Sequence, residues 1–281
     1  MQKSRVAAIN ITKVKNDQSL ALPDLVATEE PLEIRLGFGE LENRQEKRIA
    51  VIMRTPGNDF ELAQGFLVSE GVLNKISEIL SIKYCTDRGK IEEEGNVIRV
   101  ELKSTATFEE SKLDRNFYMN SSCGVCGKAS IESLESICPF PQSKSTEKLA
   151  KNIVFNLPNK LRGQQAVFEH TGGLHAVGLF DLEGNLLQLK EDVGRHNALD
   201  KLIGWGLNHE ALPFINRVLV LSGRASFELI QKAYMAGIQF IVAIGAPSSL
   251  AVETAEKFNI CLVGFTKEHS FNIYTNSEYI L

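Results

Sequence analysis

Arg217-Val218-Leu219-Val220-Leu221-Ser222-Gly223-Arg224-Ala225-Ser226 is a short apolar run that ends in small, polar and charged residues. It predicts a buried strand that hands over to a helix at Phe227. Comparable units flank it. A helix is expected from Arg195 to about Trp205 before it. After it come a helix over Phe227 to Met235, a strand over Gln239 to Ile244, a helix over Ser248 to Phe258 and a strand over Ile260 to Gly264. Further upstream, Glu147 to Phe155 reads as a helix. Leu174 to Phe180 and Leu186 to Lys190 read as strands joined by a turn over Asp181 to Asn185. This alternation predicts an α/β unit with a mainly parallel sheet covered on both faces by helices. In such sheets ligands sit outside the carboxyl ends of the strands.

Those ends read Glu191-Asp192-Val193-Gly194-Arg195-His196-Asn197, Ser222-Gly223-Arg224-Ala225-Ser226, Gly245-Ala246-Pro247-Ser248-Ser249 and Gly264-Phe265-Thr266-Lys267. Each places Gly, Ser, Arg or Lys where a strand passes into a loop or helix, and helix starts there offer free backbone N–H groups to an anion. Taken singly they are ordinary turn and N-cap residues. Four on one edge point to a ligand bearing phosphate or a nucleotide, although neither Gly-x-Gly-x-x-Gly nor a P-loop is present. Arg224, beside Ser222 and Gly223, suits planar recognition of an anion. His175, Asp192, Arg195 and His196 are expected to line the same cavity.

The first half of the chain reads differently. Arg5 to Thr12 predicts a strand, followed by a polar, Pro-containing segment that ends near Pro31. Glu33 to Phe38 alternates with period two and should pair as a hairpin with Arg48 to Arg54. Phe60, Ala63, Phe66 and Leu67 recur at helical spacing until Gly71. Gly65 inside that run weakens the helix by about 1 kcal/mol relative to Ala. Glu70 near its end is a further residue that could face a site. Ile82 to Thr86 and Val97 to Leu102 form a second expected hairpin. The expectation is thus an α+β part with antiparallel strands over residues 1–140, followed by the α/β unit over 141–281. Pro139 to Ser145 would be the linker.

With 281 residues, 43% hydrophobic and 23% charged, the chain can bury a substantial core. A net charge of −4 provides no basic footprint for nucleic acid or an anionic membrane. The start lacks the apolar core of a secretory signal and the apolar runs are too short to span a bilayer, so a cytoplasmic protein is expected. Five cysteines, an odd number at irregular spacing, argue for a reducing compartment.

In that setting Ser121-Ser122-Cys123-Gly124-Val125-Cys126-Gly127-Lys128 stands out. A thiol at the start of a short helix over Lys128 to Leu134, with an ammonium group nearby, has its thiolate stabilised. Lowering its pKa from roughly 8.5 to about 7 raises the thiolate share somewhat more than ~10-fold at neutral pH. A structural zinc site would need two more ligands, and His170 and His175 are separated by a turn. A zinc deaminase would want a His-x-Glu element upstream, and no His precedes the pair. A dithiol oxidoreductase would place the pair near a β-α-β unit. The third reading, beside zinc and a dithiol oxidoreductase, is a nucleophilic thiol in a mobile loop, carrying sulfane sulfur or acyl between partners. No metal is expected.

The cysteine segment, Thr171-Gly172-Gly173-Leu174-His175-Ala176, Glu191 to Lys201, Ser222-Gly223-Arg224 and Leu62 to Gly71 together resemble the formate dehydrogenase accessory sulfurtransferase family, over about residues 30 to 276. The resemblance implies a homodimer whose Cys123, assisted by Cys126, accepts sulfur as a persulfide from a cysteine desulfurase. It further implies transfer to the bis(molybdopterin guanine dinucleotide) cofactor destined for the formate dehydrogenase catalytic subunit, a guanine nucleotide being a mimic of that cofactor. It also implies a cytidine-deaminase-like second domain and places the nucleotide contact at Gly264, Phe265, Thr266, Lys267, Glu268, His269 and Ser270. Lys267 stands where the family commonly carries Arg, and Lys lacks the bidentate fork of Arg. A rival of another class is an insertion chaperone that binds the cofactor without sulfur chemistry.

Overall fold

Leu32, Ile34 and Leu36 are fully buried and alternate with the charged side chains of Glu33 and Arg35. That period of two makes β3 (Glu30–Phe38) a strand with one face in the core and one in a layer of charge. The computed structural model describes residues 3–85, 94–106, 134, 138–140 and 146–281. Within them β3 pairs antiparallel with β4 (Gln45–Arg54), and β5 (Ile79–Tyr84) pairs antiparallel with β6 (Val97–Leu102), as the two expected hairpins. The hairpins join through a parallel β3–β6 pairing, giving the order β4-β3-β6-β5, so this sheet is not purely antiparallel. On its outer face Arg48 reaches Glu33 at 3.1 Å and Arg99 reaches Glu46 at 2.7 Å.

Ahead of this sheet lies a hairpin that the sequence reading missed in part. β1 (Val6–Lys15) pairs with β2 (Gln18–Ala27) through a two-residue turn in which Asn16 and Asp17 have φ of 48° and 61°. Positive φ at both central residues matches the twist of a tight hairpin, and Asn and Asp tolerate it. Most of both strands is exposed, which is why residues 18–27, with Pro23 among them, show no alternation.

The second sheet has the order β12-β11-β10-β9-β7-β8. Its members are β7 (His175–Phe180), β8 (Leu186–Asp192), β9 (Val218–Leu221), β10 (Phe240–Ala243), β11 (Cys261–Lys267) and β12 (Ser270–Thr275). The expected mainly parallel sheet is corrected to a mixed one. β9, β10 and β11 run parallel, whereas β7–β8, β7–β9 and β11–β12 are antiparallel. The cause is connection length: the short turns after β7 and β11 can only reverse the chain. β12 itself, an edge strand, was not expected.

Among the described residues four helices pack on this sheet, and a fifth packs on one of the four. α1 (Asp59–Ser69), α4 (Arg195–Asn208), α5 (Phe227–Met235) and α6 (Ser249–Lys257) lie between the two sheets. Right-handed crossovers that step in one direction across β9, β10 and β11 place α5 and α6 on the same face. α2 (Lys151–Arg162) covers the opposite face with Val154, Leu157 and Leu161, and the short α3 (Ala166–Thr171) follows it. The helix expected over Glu147 to Phe155 starts later, at Lys151, and continues past Phe155 through Pro158 to Arg162.

One apolar core runs from Leu32, Ile34 and Leu36 through α1 to Leu199, Leu202 and the inner face of the six-stranded sheet. Its tightest joint is the crossing of α1 and α4. A Cβ on Gly65 would stand 1.8 Å from the carbonyl oxygen of Asp200, and one on Gly204 would stand 1.9 Å from that of Glu61. Gly65, which weakens α1 as an isolated helix, is what lets the two backbones touch.

Candidate functional site

The strand ends that the sequence singled out come together along one edge of the six-stranded sheet. His175 opens β7 and pairs across the ladder with Asp192, the last residue of β8. Gly223, just after β9, lies so close that a Cβ there would meet His175 Nδ1 at 3.3 Å. The backbone N–H of Phe265 donates to Gly245 O at 3.1 Å, which brings the end of β11 to the turn after β10. α4, α5 and α6 all start at this edge, capped in turn by Gly194, Ser226 and Ser248.

Two arginines there are left without partners. Arg195, the first residue of α4, makes no hydrogen bond or ion pair among the described residues, and its Nε is buried with no acceptor. Arg224 is exposed, and its guanidinium likewise makes no hydrogen bond or ion pair among the described residues. A buried N–H without an acceptor costs about 1–3 kcal/mol, and an anion at the start of α4 would meet both that donor and the helix dipole. Burial, with Arg195 and His196 nearby, holds His175 below the usual imidazole range. It is therefore neutral at neutral pH, able to donate from one nitrogen and accept at the other.

The remaining expected residues divide. His196 Nε2 lies 3.1 Å from both Ser226 Oγ and Glu228 Oε2. His196, through that hydrogen bond, is the main cause that brings the Glu228 carboxyl down to about 2. Glu228 was not foreseen. Ser222 Oγ accepts from the N–H of Ala176 at 2.9 Å, so the hydroxyl ties β9 to β7 while the residue still lies on the edge. Asp192 is corrected: it does not line a cavity. It is fully buried, pairs with Lys201 Nζ at 2.6 Å and accepts from Thr55 N, Gly194 N and Asn197 Nδ2. Lys201 in turn donates to Thr55 O at 2.8 Å, and burial holds its ammonium below the usual lysine range. Within the 264–270 segment, Gly264 packs under Pro247, and Thr266 is buried with its hydroxyl donated to Ala243 O. Phe265 is 46% exposed in the left-handed region at φ 52°. Lys267, Glu268, His269 and Ser270 are exposed on the turn from β11 to β12.

Cys123 and Cys126 lie outside the described residues. Of the described cysteines, burial raises the Cys138 thiol and pushes that of Cys261 up to about 12. Neither supplies a thiolate at neutral pH. Cys138 Sγ meets Tyr234 O at 3.7 Å, near the end of α5 remote from Ser226. Glu70, noted in the sequence, belongs to a buried cluster between α1, α4 and α5 rather than to the edge. Lys232 Nζ lies 2.9 Å from Asp200 and 4.0 Å from Glu70, and Ser69 Oγ donates to Asp200. Among the described residues no three His, Cys, Asp or Glu side chains form a group that could hold a metal. No helix of the described residues is long and apolar enough to cross a membrane.

The FdhD/NarQ family model matches residues 27–281. A protein named sulfur carrier protein FdhD from Mycolicibacterium paratuberculosis is 46% identical over 274 residues, covering 96% of this chain and 97% of that protein. One of the same name from Sulfolobus acidocaldarius is 42% identical over 276 residues, covering 98% and 99%. Among solved structures, one described as a formate dehydrogenase accessory protein from Desulfotalea psychrophila superposes with a TM-score of 0.73 at 22% identity. It covers 99% of this chain and 100% of that one, which shows the shared fold.

Proposed function

The chain belongs to the FdhD/NarQ family, and on that premise we propose that it is a sulfur carrier in the maturation of formate dehydrogenase. The finer reading is a sulfurtransferase in which Cys123 accepts sulfur from a cysteine desulfurase and delivers it to bis(molybdopterin guanine dinucleotide). The observation that supports the cofactor side is the edge itself: Arg195 with an orphaned, buried donor and Arg224 without a partner among the described residues, set where helices begin. Such an edge fits the pyrophosphate links of a dinucleotide. Arg195 and Arg224 would hold the anion, His175 would offer a neutral donor and acceptor, and the exposed ring of Phe265 would give a base a surface to stack on.

On the sulfur side, the Cys123 thiolate attacks the outer sulfur of a persulfide on the donor. A new S–S bond forms on Cys123, the donor's S–S bond breaks, and the donor's own sulfur leaves as a thiolate that takes up a proton. No oxidant is needed, because the sulfane sulfur moves at its own oxidation level. Cys126, three residues on in the sequence, would shield the bound sulfur or assist its release. The Cys138 and Cys261 thiols, held protonated by burial, do not compete for it. The reading further includes a homodimer in the cytoplasm that hands the sulfurated cofactor to the formate dehydrogenase catalytic subunit, and a cytidine-deaminase-like relationship for the six-stranded sheet.

Peptide mass mapping after incubation with a cysteine desulfurase and cysteine tests the assignment. The added 32 Da of one sulfur, about the mass of a sulfane sulfur, is expected on the peptide bearing Cys123 and is lost in Cys123→Ala. Sulfur found only on Cys126, or on neither, defeats it. If Cys123→Ala, Cys126→Ala still supports formate dehydrogenase activity, the protein is an insertion chaperone instead.

A further inference from the structure

The side chains of His196, Ser226 and Glu228 join the starts of two helices. His196 is the second residue of α4, Ser226 caps α5 and Glu228 stands in the first turn of α5. His196 Nε2 lies 3.1 Å from both Ser226 Oγ and Glu228 Oε2, and Ser226 Oγ donates to the same carboxylate oxygen at 3.2 Å. A carboxylate accepts and does not donate, so it fixes the imidazole proton on Nε2. The Glu228 carboxyl, brought down to about 2 chiefly by that hydrogen bond, stays charged at neutral pH. A nucleophilic triad sets serine and carboxylate on opposite ring nitrogens. Here both share Nε2, so Ser226 is not activated for attack.

Nδ1 is therefore the nitrogen that changes state. It makes no hydrogen bond among the described residues and is not among the buried atoms left without a partner, so it is open to solvent. In the neutral ring it presents a lone pair, which repels an anion. In the protonated ring it is a charged donor, which binds one. Two neighbours pull in opposite directions: the Glu228 carboxylate favours the imidazolium, and the adjoining Arg195 guanidinium opposes a second positive charge. At this end of the elements packed against α4, Asp192 of β8 and Asp59 of α1 are already paired, with Lys201 and Arg54. His175 of β7, held below the usual imidazole range, stays neutral.

We propose that anion binding at this edge is coupled to a proton, which His196 takes up at Nδ1 as the anion arrives and gives back as it leaves. The anion screens the repulsion from Arg195 and supplies an acceptor for the new N–H, so binding and protonation favour each other. The proton comes from solvent, and no covalent bond of the anion changes. His196 is thus a third anion ligand beside Arg195 and Arg224, and acts only in its protonated state. The inference rests on the reading above that the edge holds the pyrophosphate of the cargo. It adds a means of release, since loss of one proton loosens the grip.

Calorimetric titration of the full chain with symmetrical dimethyl pyrophosphate tests it, because this diester keeps its charge fixed near neutral pH. Parent affinity should fall about tenfold from pH 6 to pH 8, the sign expected where binding takes up a proton. The binding enthalpy should also differ between two buffers of unlike ionisation enthalpy. His196→Gln keeps a donor to Glu228 and does not titrate, so it should show the parent's weaker pH 8 affinity at both pH values. Glu228→Gln should keep the slope and move it to lower pH, because the carboxylate that favours the imidazolium is gone. Thermal melts confirm that the variants are folded, and the proton uptake of the parent needs no variant. The proposal is overturned if parent affinity is level with pH, if no proton is taken up, or if the slope survives in His196→Gln and is lost in His175→Gln. Binding that is level with pH defeats the proton coupling alone, whereas a diester that binds at neither pH defeats the reading of the edge as well.

Discussion

Asp192 and Arg195 are three residues apart, yet the protein treats their charges in opposite ways. Asp192 is closed in by Lys201 and three N–H donors at 0% exposure, and the neighbouring cluster sets Asp200 and Glu70 around Lys232. Arg195, the first residue of α4, has no hydrogen-bond or ion-pair partner among the described residues, and Arg224 shares that condition. Where water is excluded, charges are neutralised in place. Along the edge, two guanidinium groups are left open among the described residues. Residue type alone therefore does not mark a functional position here; the marker is a polar group whose partner is missing.

The inner set should be the more sensitive to substitution. Lys201→Met strands the Asp192 carboxylate in the core and is expected to cost about 3–5 kcal/mol in urea unfolding at pH 7. A loss below about 1 kcal/mol would erase the distinction between the two regions.

Glu70 gives the next effect. Burial raises its carboxyl from the ordinary 4.5 to about 7, with Lys232 opposing and Asp200 adding to the rise. Burial also pulls on the Lys232 ammonium, but Asp200 and Glu70 outweigh it and leave that group raised. Between pH 4.5 and 7 the folded chain holds a proton on Glu70 that the unfolded chain lacks. Stability from this group is thus full below about pH 4.5, falls as pH rises to about 7 and is level above, a change of about 3 kcal/mol. Chemical denaturation at pH 5 and pH 8 should show that slope in the parent and lose it in Glu70→Gln. An unchanged slope in the variant would remove Glu70 from the inner set.

Arg195→Met sharpens the contrast from the other side. Removing the orphaned buried donor should leave stability unchanged or raise it by up to about 1–3 kcal/mol, while pyrophosphate affinity drops about tenfold. A stability loss comparable to that of Lys201→Met would show that Arg195 belongs with the buried pairs.

The sequence displayed the edge better than its chemistry. β3 announced itself by alternation, and β9, β10 and β11 by apolar runs, because each has a face or both faces buried. β2 did not, since exposed strands feel no pressure to alternate. Asp192 read as a ligand because its partner Lys201 lies nine residues on, at a place fixed by the fold of β8 against α4 rather than by local spacing. α3, with Phe168 inside it, is a six-residue helix too short to carry a periodic signal, so nothing in its neighbours separated it from a loop. Glu228 had a weak mark, a carboxylate two residues after the N-cap Ser226.

The crossing at Gly65 and Gly204 reaches beyond packing. Every replacement of glycine by another amino acid introduces a side chain, and at these two positions a first carbon would land within 2 Å of a neighbouring carbonyl oxygen. Neither position can drift alone, and no compensating change on the opposite helix makes room, because what stands opposite is main chain. The two halves of the protein are thus pinned at one point of their shared history: loops, strands and binding residues on either side are free to diverge, but the distance between α1 and α4 is inherited unchanged.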